Sequence, residues 1–263
     1  GISNRKEHIM TKTILITGST DGIGLLTAKT LADMGHTIAL HGRSADKLVS
    51  AKQDLGGDVA VYRADLSSLE QTAQMAEAVK TNHDRLDVLI NNAGVFKTPS
   101  PIMPNGQDVR FVVNTLAPHV LTKALLPIIP RDGRIISLSS AAQAPVDLAA
   151  LAGNKHLDDM GAYAQSKRGI TLWSAQMAAD HPEGPVFIAV NPGSLLASKM
   201  VREGFGVAGN DLQIGADILC RLSLDNEFSS ASGRYWDNDA GGFGHISIGQ
   251  AEEVQKAIAS LAD

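Results

Sequence analysis

Residues 14–26, ILITGSTDGIGLL, pass from an apolar, β-branched run through three spaced glycines into an amphipathic segment. The run before Gly18 reads as a buried strand. GLLTAKTLADM, at 24–34, reads as a helix with Gly35 closing its C-terminal end. Gly18, Gly22 and Gly24 therefore occupy a strand-to-helix turn, the context in which a glycine pattern becomes informative. Gly18 would permit the tight turn, and the later glycines would let backbone and helix N-terminus approach an anionic group such as a pyrophosphate. Free N–H groups and the helix dipole favour negative charge at that point.

Outward from this turn the same alternation repeats. KTILIT, HTIALH, DVAVYR, LDVLIN, RIISLS and PVFIAV read as buried strands. ADKLVSAKQDL, LEQTAQMAEAVK, VRFVVNTLAPHVLTKALL and GAYAQSKRGITLWSAQMAAD read as helices between them, with Ser67 or Ser68 as the N-cap before LEQT. Strand–helix alternation predicts an α/β fold: a doubly wound, mostly parallel sheet with helices on both faces. No repeat or linker divides the chain, so residues 11–263 are expected to form one domain behind a polar tail at 1–10.

The 263 residues are 44% hydrophobic and 19% charged, with a formal net charge of −5 and no basic run, which argues against a nucleic-acid partner. One cysteine, Cys220, excludes an internal disulfide; it suits a reducing cytoplasm and reads as a small buried hydrophobe. No stretch reads as a membrane span. The eight histidines lack metal-ligand spacing, no G-x-S-x-G elbow presents a nucleophilic serine, and no metal is expected. His156 and His245 read as surface residues, and Trp173 and Met177 as core.

Two segments break the rhythm, AAQAPVDLAALAGNKHLDD at 141–159 and SLLASKMVREGFGVAGND at 194–211. Both follow strands, at the end of the sheet where open α/β folds bind ligands, and each is placed to act as a lid. Their Leu, Ala, Val and Met content suggests a fairly apolar ligand, to which Tyr235 or Trp236 in SGRYWDNDAGGF would contribute.

Tyr163 and Lys167 lie four residues apart in a helical segment and so share a face. A free phenol, with a pKa of about 10, is a poor base near neutrality; a close ammonium group would favour its ionised form.

TGSTDGIG at 17–24, NNAG at 91–94, VNTLAP at 113–118, ISLSSAA at 136–142, YAQSK at 163–167 and NPG at 191–193 appear in that order. Together they resemble the short-chain dehydrogenase/reductase family, in its short single-domain branch and near its retinol-dehydrogenase-like members. The resemblance implies a Rossmann-type fold and an alcohol–carbonyl oxidoreductase that uses a nicotinamide cofactor. It implies Tyr163 as the acid–base, with Lys167 beside it and gripping the nicotinamide ribose. Ser140 would hydrogen-bond the substrate oxygen, although Ser139 is its immediate neighbour. Asn114 would hold a water that connects Lys167 to solvent. Cofactor contacts are implied at Gly18, Ser19, Thr20, Gly22, Ile23 and Gly24, at Asp65 and Leu66, and at Asn92, Ala93 and Gly94. Pro192, Gly193 and Leu195 would close over the nicotinamide, joined there by Tyr163 and Lys167. Asp65 reads equally well as a helix cap.

Cofactor choice turns on the end of HTIALHGRS. An acid there would bind a ribose 2′-hydroxyl, whereas an arginine would accept the 2′-phosphate of NADP. The chain offers His41, Gly42, Arg43 and Ser44, with no acid before Asp46, which favours NADP over NAD. The expected substrate is a small carbonyl or alcohol, and the expected assembly a homodimer. A non-catalytic NADP-binding sensor on the same fold is the alternative.

Overall fold

In the computed structural model, described here for residues 10–193 and 212–263, eight strands form one sheet. They are β1 Thr13–Ile16, β2 Thr37–Gly42, β3 Ala60–Arg63, β4 Val88–Asn91, β5 Arg134–Leu138, β6 Val186–Asn191, β7 Tyr235–Asp237 and β8 Gly242–Gly244. The spatial order is β3-β2-β1-β4-β5-β6-β7-β8, parallel except for the antiparallel β7–β8 pair at one edge. This is the doubly wound Rossmann-type sheet. The strand order reverses between β1 and β4, opening a crevice beyond Thr17 and Asn91.

Alternation along each strand builds two apolar layers. Leu15, Leu89, Ile135 and Phe187 face one side; Ile14, Ile16, Ile90 and Ile188 face the other. Helices α3 (Leu69–Asn82), α5 (Ala117–Leu125) and α7 (Asp159–Asp180) cover the first side. Helices α1 (Gly22–Asp33) and α2 (Ala45–Leu55) cover the second. Strands buried on both faces carry no polar alternation, which explains the continuous apolar runs in the sequence. Ser68 is the N-cap of α3, accepting from the Gln71 amide at 3.1 Å.

Between β4 and β5 a short α4 (Val109–Phe111) passes through a π turn, Val112–Leu116, into α5. The continuous segment Val109–Ile128 has the length and mean hydropathy (1.3) to cross a membrane, contrary to the expectation that no stretch would. Two thirds of its apolar window is buried against the sheet and α3, so its hydropathy is that of a core helix.

The last third adds what the sequence reading had not assigned: α8 (Leu212–Leu224), packed on α1, the β7–β8 hairpin, and α9 (Ala251–Ala262), packed on α7. Cys220 lies in the core, where burial pushes its thiol up to about 12. Trp173 and Met177 are core residues as expected, and His156 and His245 lie at the surface.

The 141–159 insert carries α6 (Leu148–Leu151) and is fastened rather than free. The amides of Val146 and Asp147 donate to Gln250 and Gln165, and Ala150 and Leu151 are buried. These contacts tie it to α7 and to the residue that precedes α9. The other expected lid, 194–211, lies outside the described residues.

Candidate active site

The glycine turn is built by close packing. Gly18 has φ +61°, and a Cβ there would stand 2.9 Å from Ala93 Cα. A Cβ on Gly24 would strike the Gly18 carbonyl and lie 2.5 Å from Asn92 Nδ2. Gly22, with φ +55°, has open space where its Cβ would be. Gly18 and Gly24 thus seat α1 against the sheet, and Gly22 leaves a clear approach to the helix N-terminus. Ser19 and Thr20 turn inward: Ser19 Oγ donates to the Ile16 carbonyl, and Thr20 packs over Gly42. Ile23, at the start of α1, packs partly into the apolar layer beneath.

The β4 end is tied to this turn. Thr17 Oγ1 accepts from the amides of Asn92 and Ala93 at 3.0 Å, and Asn92 Nδ2 donates to the carbonyls of Thr17 and Gly18 at 3.0 Å. Gly94 follows directly. Asn92 Oδ1 is buried with no partner among the described residues, an acceptor at the edge of the crevice. An open glycine-bordered helix N-terminus and this orphaned acceptor fit a dinucleotide pyrophosphate and ribose.

Arg43 is exposed just beyond β2, and its carbonyl accepts from Arg63 Nε at 2.9 Å. Asp65 Oδ1 accepts from the Ser67 amide and hydroxyl at 2.9 and 2.8 Å, a turn-forming role that leaves its second oxygen for a ligand. The Leu66 side chain belongs to the core, so only its backbone can face the crevice. Beyond β6, the Pro192 carbonyl accepts from Asn238 and the Gly193 amide donates to Asn191. Leu195 lies outside the described residues.

Across the crevice, the N-cap Asp158 starts α7 and places Tyr163 and Lys167 one turn apart, both buried. Lys167 Nζ lies 5.7 Å from the Tyr163 ring centroid and donates to the Leu138 carbonyl at 2.9 Å. Ser140, just past β5, stands near enough to the Tyr163 hydroxyl to offset part of the effect of burial on it. Ser139 bonds Thr171 Oγ1, two turns beyond Tyr163 on α7, at 2.6 Å. Of the two adjacent serines, Ser140, the one expected, is the one that acts on Tyr163.

The electrostatics depart from expectation. Burial pushes the Tyr163 hydroxyl up, and Ser140 only partly offsets it. Desolvation brings Lys167 down to about 8; its hydrogen-bond partner among the described residues is a carbonyl dipole. Lys167 is not among the causes that move Tyr163; burial, the largest, favours the protonated phenol.

Asn114 sits in the π turn. Its Oδ1 accepts from the Val95 amide at 2.8 Å, while Nδ2 donates to the Val95 carbonyl and to Ser166 Oγ, both at 3.0 Å. It clamps the chain leaving NNAG, and none of its described hydrogen bonds goes to Lys167. The π turn alters backbone pairing at this point, a frequent device near functional sites.

Other residues of the site gave no sequence signal. Arg110 is buried, paired with Asp108 at 2.6 and 3.0 Å and with Asp159 at 2.6 Å, and it donates to the Phe96 carbonyl at 3.1 Å. Phe96 in turn meets Tyr163 edge-on, with centroids 4.8 Å apart. Gln143 donates to the Ser140 carbonyl at 2.9 Å and accepts from Arg168 at 3.0 Å. Tyr235 stands near Gln143 and is pushed up to about 12 by burial and nearby Asp237, whereas Trp236 packs into the core with Phe228 and Phe243. Of the two expected aromatics, only Tyr235 reaches the site. Among the described residues no group of His, Cys, Asp and Glu could hold a metal ion.

The family model for short chain dehydrogenases matches residues 12–205. The chain is 30% identical to human retinol dehydrogenase 13, covering 90% of this chain and 79% of that protein. Its fold is similar to that of an uncharacterized protein from Mycobacterium paratuberculosis, with TM-score 0.79 and 23% identity over 95% and 93% of the two chains. It is also similar to a short chain dehydrogenase from Shigella flexneri complexed with NADP, with TM-score 0.69 and 25% identity over 89% and 100%. Glycine turn, Ser140–Tyr163 pair and sequence match agree: the chain belongs to the short-chain dehydrogenase/reductase family of oxidoreductases.

Proposed function

We propose that this protein is an NADP(H)-dependent oxidoreductase that interconverts an alcohol and a carbonyl on a fairly apolar small molecule. The observation that carries the reading is the meeting of Ser140, from the end of β5, with Tyr163 and Lys167 on one face of α7. When bound, the nicotinamide cofactor supplies or accepts the hydride. In the direction of reduction, Tyr163 donates its phenolic proton to the substrate oxygen and Ser140 donates a second hydrogen bond to it. A phenol kept neutral by burial suits that donation, and general acid catalysis of this kind is worth about 10²–10⁴-fold in rate. Lys167, with its ammonium near 8, remains mostly charged at neutral pH and steadies the phenolate left after transfer. Asn114 holds the Val95 peptide and, through Ser166, the helix that carries Tyr163.

Arg43 carries the cofactor preference: it is an exposed cation at the β2 end, where NAD would need an acid. NADP-bound relatives support the same choice. The nearness of Ser140 to the Tyr163 hydroxyl favours turnover over a sensor role. The experiment follows NADPH and NADH absorbance with aldehydes, ketones and quinones, wild type beside Tyr163→Phe. NADPH consumption that falls by at least 10²-fold in the variant is expected. Full activity in Tyr163→Phe, or a clear NADH preference, would overturn the corresponding part of the proposal.

A further inference from the structure

His41, the fifth residue of β2, is buried directly behind the glycine turn. Its Nδ1 accepts from the Gly18 amide at 2.9 Å, and Nε2 lies 2.9 Å from the Ala64 carbonyl. The two partners fix one tautomer: Nδ1 must be bare to accept, so Nε2 carries the proton and donates. Around the ring the backbone is locked as well. The Ser19 amide donates to the His41 carbonyl at 2.9 Å, and the His41 amide donates to Ser19 Oγ at 2.9 Å. The amides of Gly18 and Ser19 therefore point into the protein. The first-turn amides of α1, at Gly22, Ile23 and Gly24, are the ones left without intrahelical partners.

We propose that neutral His41 is a positioning residue for cofactor binding: by accepting from Gly18 it sets the glycine turn so that the first-turn amides of α1 face the pyrophosphate. The proposal rests on the cofactor reading above. Gly18 has φ +61° and is wedged against Ala93, so its peptide orientation is decided by what its N–H meets. A protonated Nδ1 would set two donors against each other and release that peptide. Burial holds the ring below the ordinary imidazole range; Asp65 from the β3–α3 turn opposes this and Arg43 from the β2–α2 turn assists it. Neutral His41 is thus the form present at pH 7, and cofactor affinity should fall as the medium becomes acidic.

Two substitutions separate the ring's two bonds. His41→Asn keeps an acceptor at the position of Nδ1 and loses the contact to Ala64. His41→Gln extends its amide to the position of Nε2 and loses the Gly18 bond. The measurement is the Kd of NADPH by fluorescence titration from pH 5 to pH 8, with circular dichroism at each pH to follow folding. Expected is a Kd within about threefold of wild type for His41→Asn at pH 8 and about tenfold weaker for His41→Gln, the scale of one buried hydrogen bond. The acid weakening seen in wild type should be reduced in His41→Asn; what remains belongs to the 2′-phosphate, which titrates near 6. Equal weakening by both variants, or the same pH profile in wild type and His41→Asn, would overturn the positioning role while leaving NADPH binding itself intact. Failure of wild type to bind NADPH or NADH at pH 8 would overturn the cofactor reading and this proposal together.

Discussion

Lys167→Met should give a protein that is inactive and more stable than wild type at pH 7. Lys167 is 4% exposed and has no carboxylate partner among its described contacts; its ammonium bonds only the Leu138 carbonyl. The fall from the ordinary 10.5 to about 8 measures the desolvation the folded state bears to keep the charge. At 1.36 kcal/mol per tenfold change in ionisation, that is about 3 kcal/mol. Methionine fills much the same volume without charge, but leaves the Leu138 carbonyl unsatisfied, a cost of about 1–2 kcal/mol. The net expectation is a gain of about 1–2 kcal/mol. Its pH dependence has a definite sign. Below about 8 the lysine is charged in both folded and unfolded chains and the whole penalty is present. Between about 8 and 10.5 the folded protein has lost the proton that the unfolded chain keeps, so wild-type stability rises with pH by about 3 kcal/mol from this group. Methionine has no such dependence. Urea unfolding of both proteins at pH 7 and pH 10 tests this: the variant should lead at pH 7, and its lead should shrink or reverse at pH 10. A variant less stable than wild type at pH 7, or a difference that does not change with pH, would refute the desolvation argument.

Four further outcomes follow from the same geometry. Ser140→Ala should lower kcat by about 10²–10³-fold with little change in stability. Ser139→Ala should leave kcat unchanged and cost about 1 kcal/mol in urea unfolding, through the lost bond to Thr171. Gly24→Ala drives a methyl group into the Gly18 carbonyl and Asn92, so it should destabilise by about 1–3 kcal/mol and weaken NADPH binding measured by fluorescence. Asp108→Ala leaves the buried Arg110 guanidinium with the half-exposed Asp159 as its remaining carboxylate, and should cost about 3–5 kcal/mol by denaturant unfolding.

The first six strands and the main helices as far as α7 were legible because each is long enough to repeat its own period. The doubly buried strands read as unbroken apolar runs. β7 and β8 were not legible: three residues each, YWD and GFG, among Asn, Asp and Gly that read as turn. They become strands only because β6 offers β7 an edge. The 141–159 insert looked like a lid for the same reason; its anchors, Gln165 and Gln250, lie far away in sequence.

At the candidate site the sequence by itself determined the chemistry: glycines at a strand-to-helix turn, Tyr163 and Lys167 one turn apart, and Arg43 where an acid would otherwise stand. These are local relations, set by spacing along one element, and local geometry follows from the chain. The tertiary structure alone decided that Ser139 pairs with Thr171 and that Ser140 stands by the tyrosine, since this depends on how α7 lies against the end of β5. It decided that Tyr163 is held neutral, because desolvation depends on what surrounds the ring, not on the lysine four residues away. It also placed His41 behind Gly18 and brought Phe96 and Asp159 to Arg110. Such contacts join segments that are remote in the chain, and their energies come from burial and directed hydrogen bonds that exist only once the segments are packed.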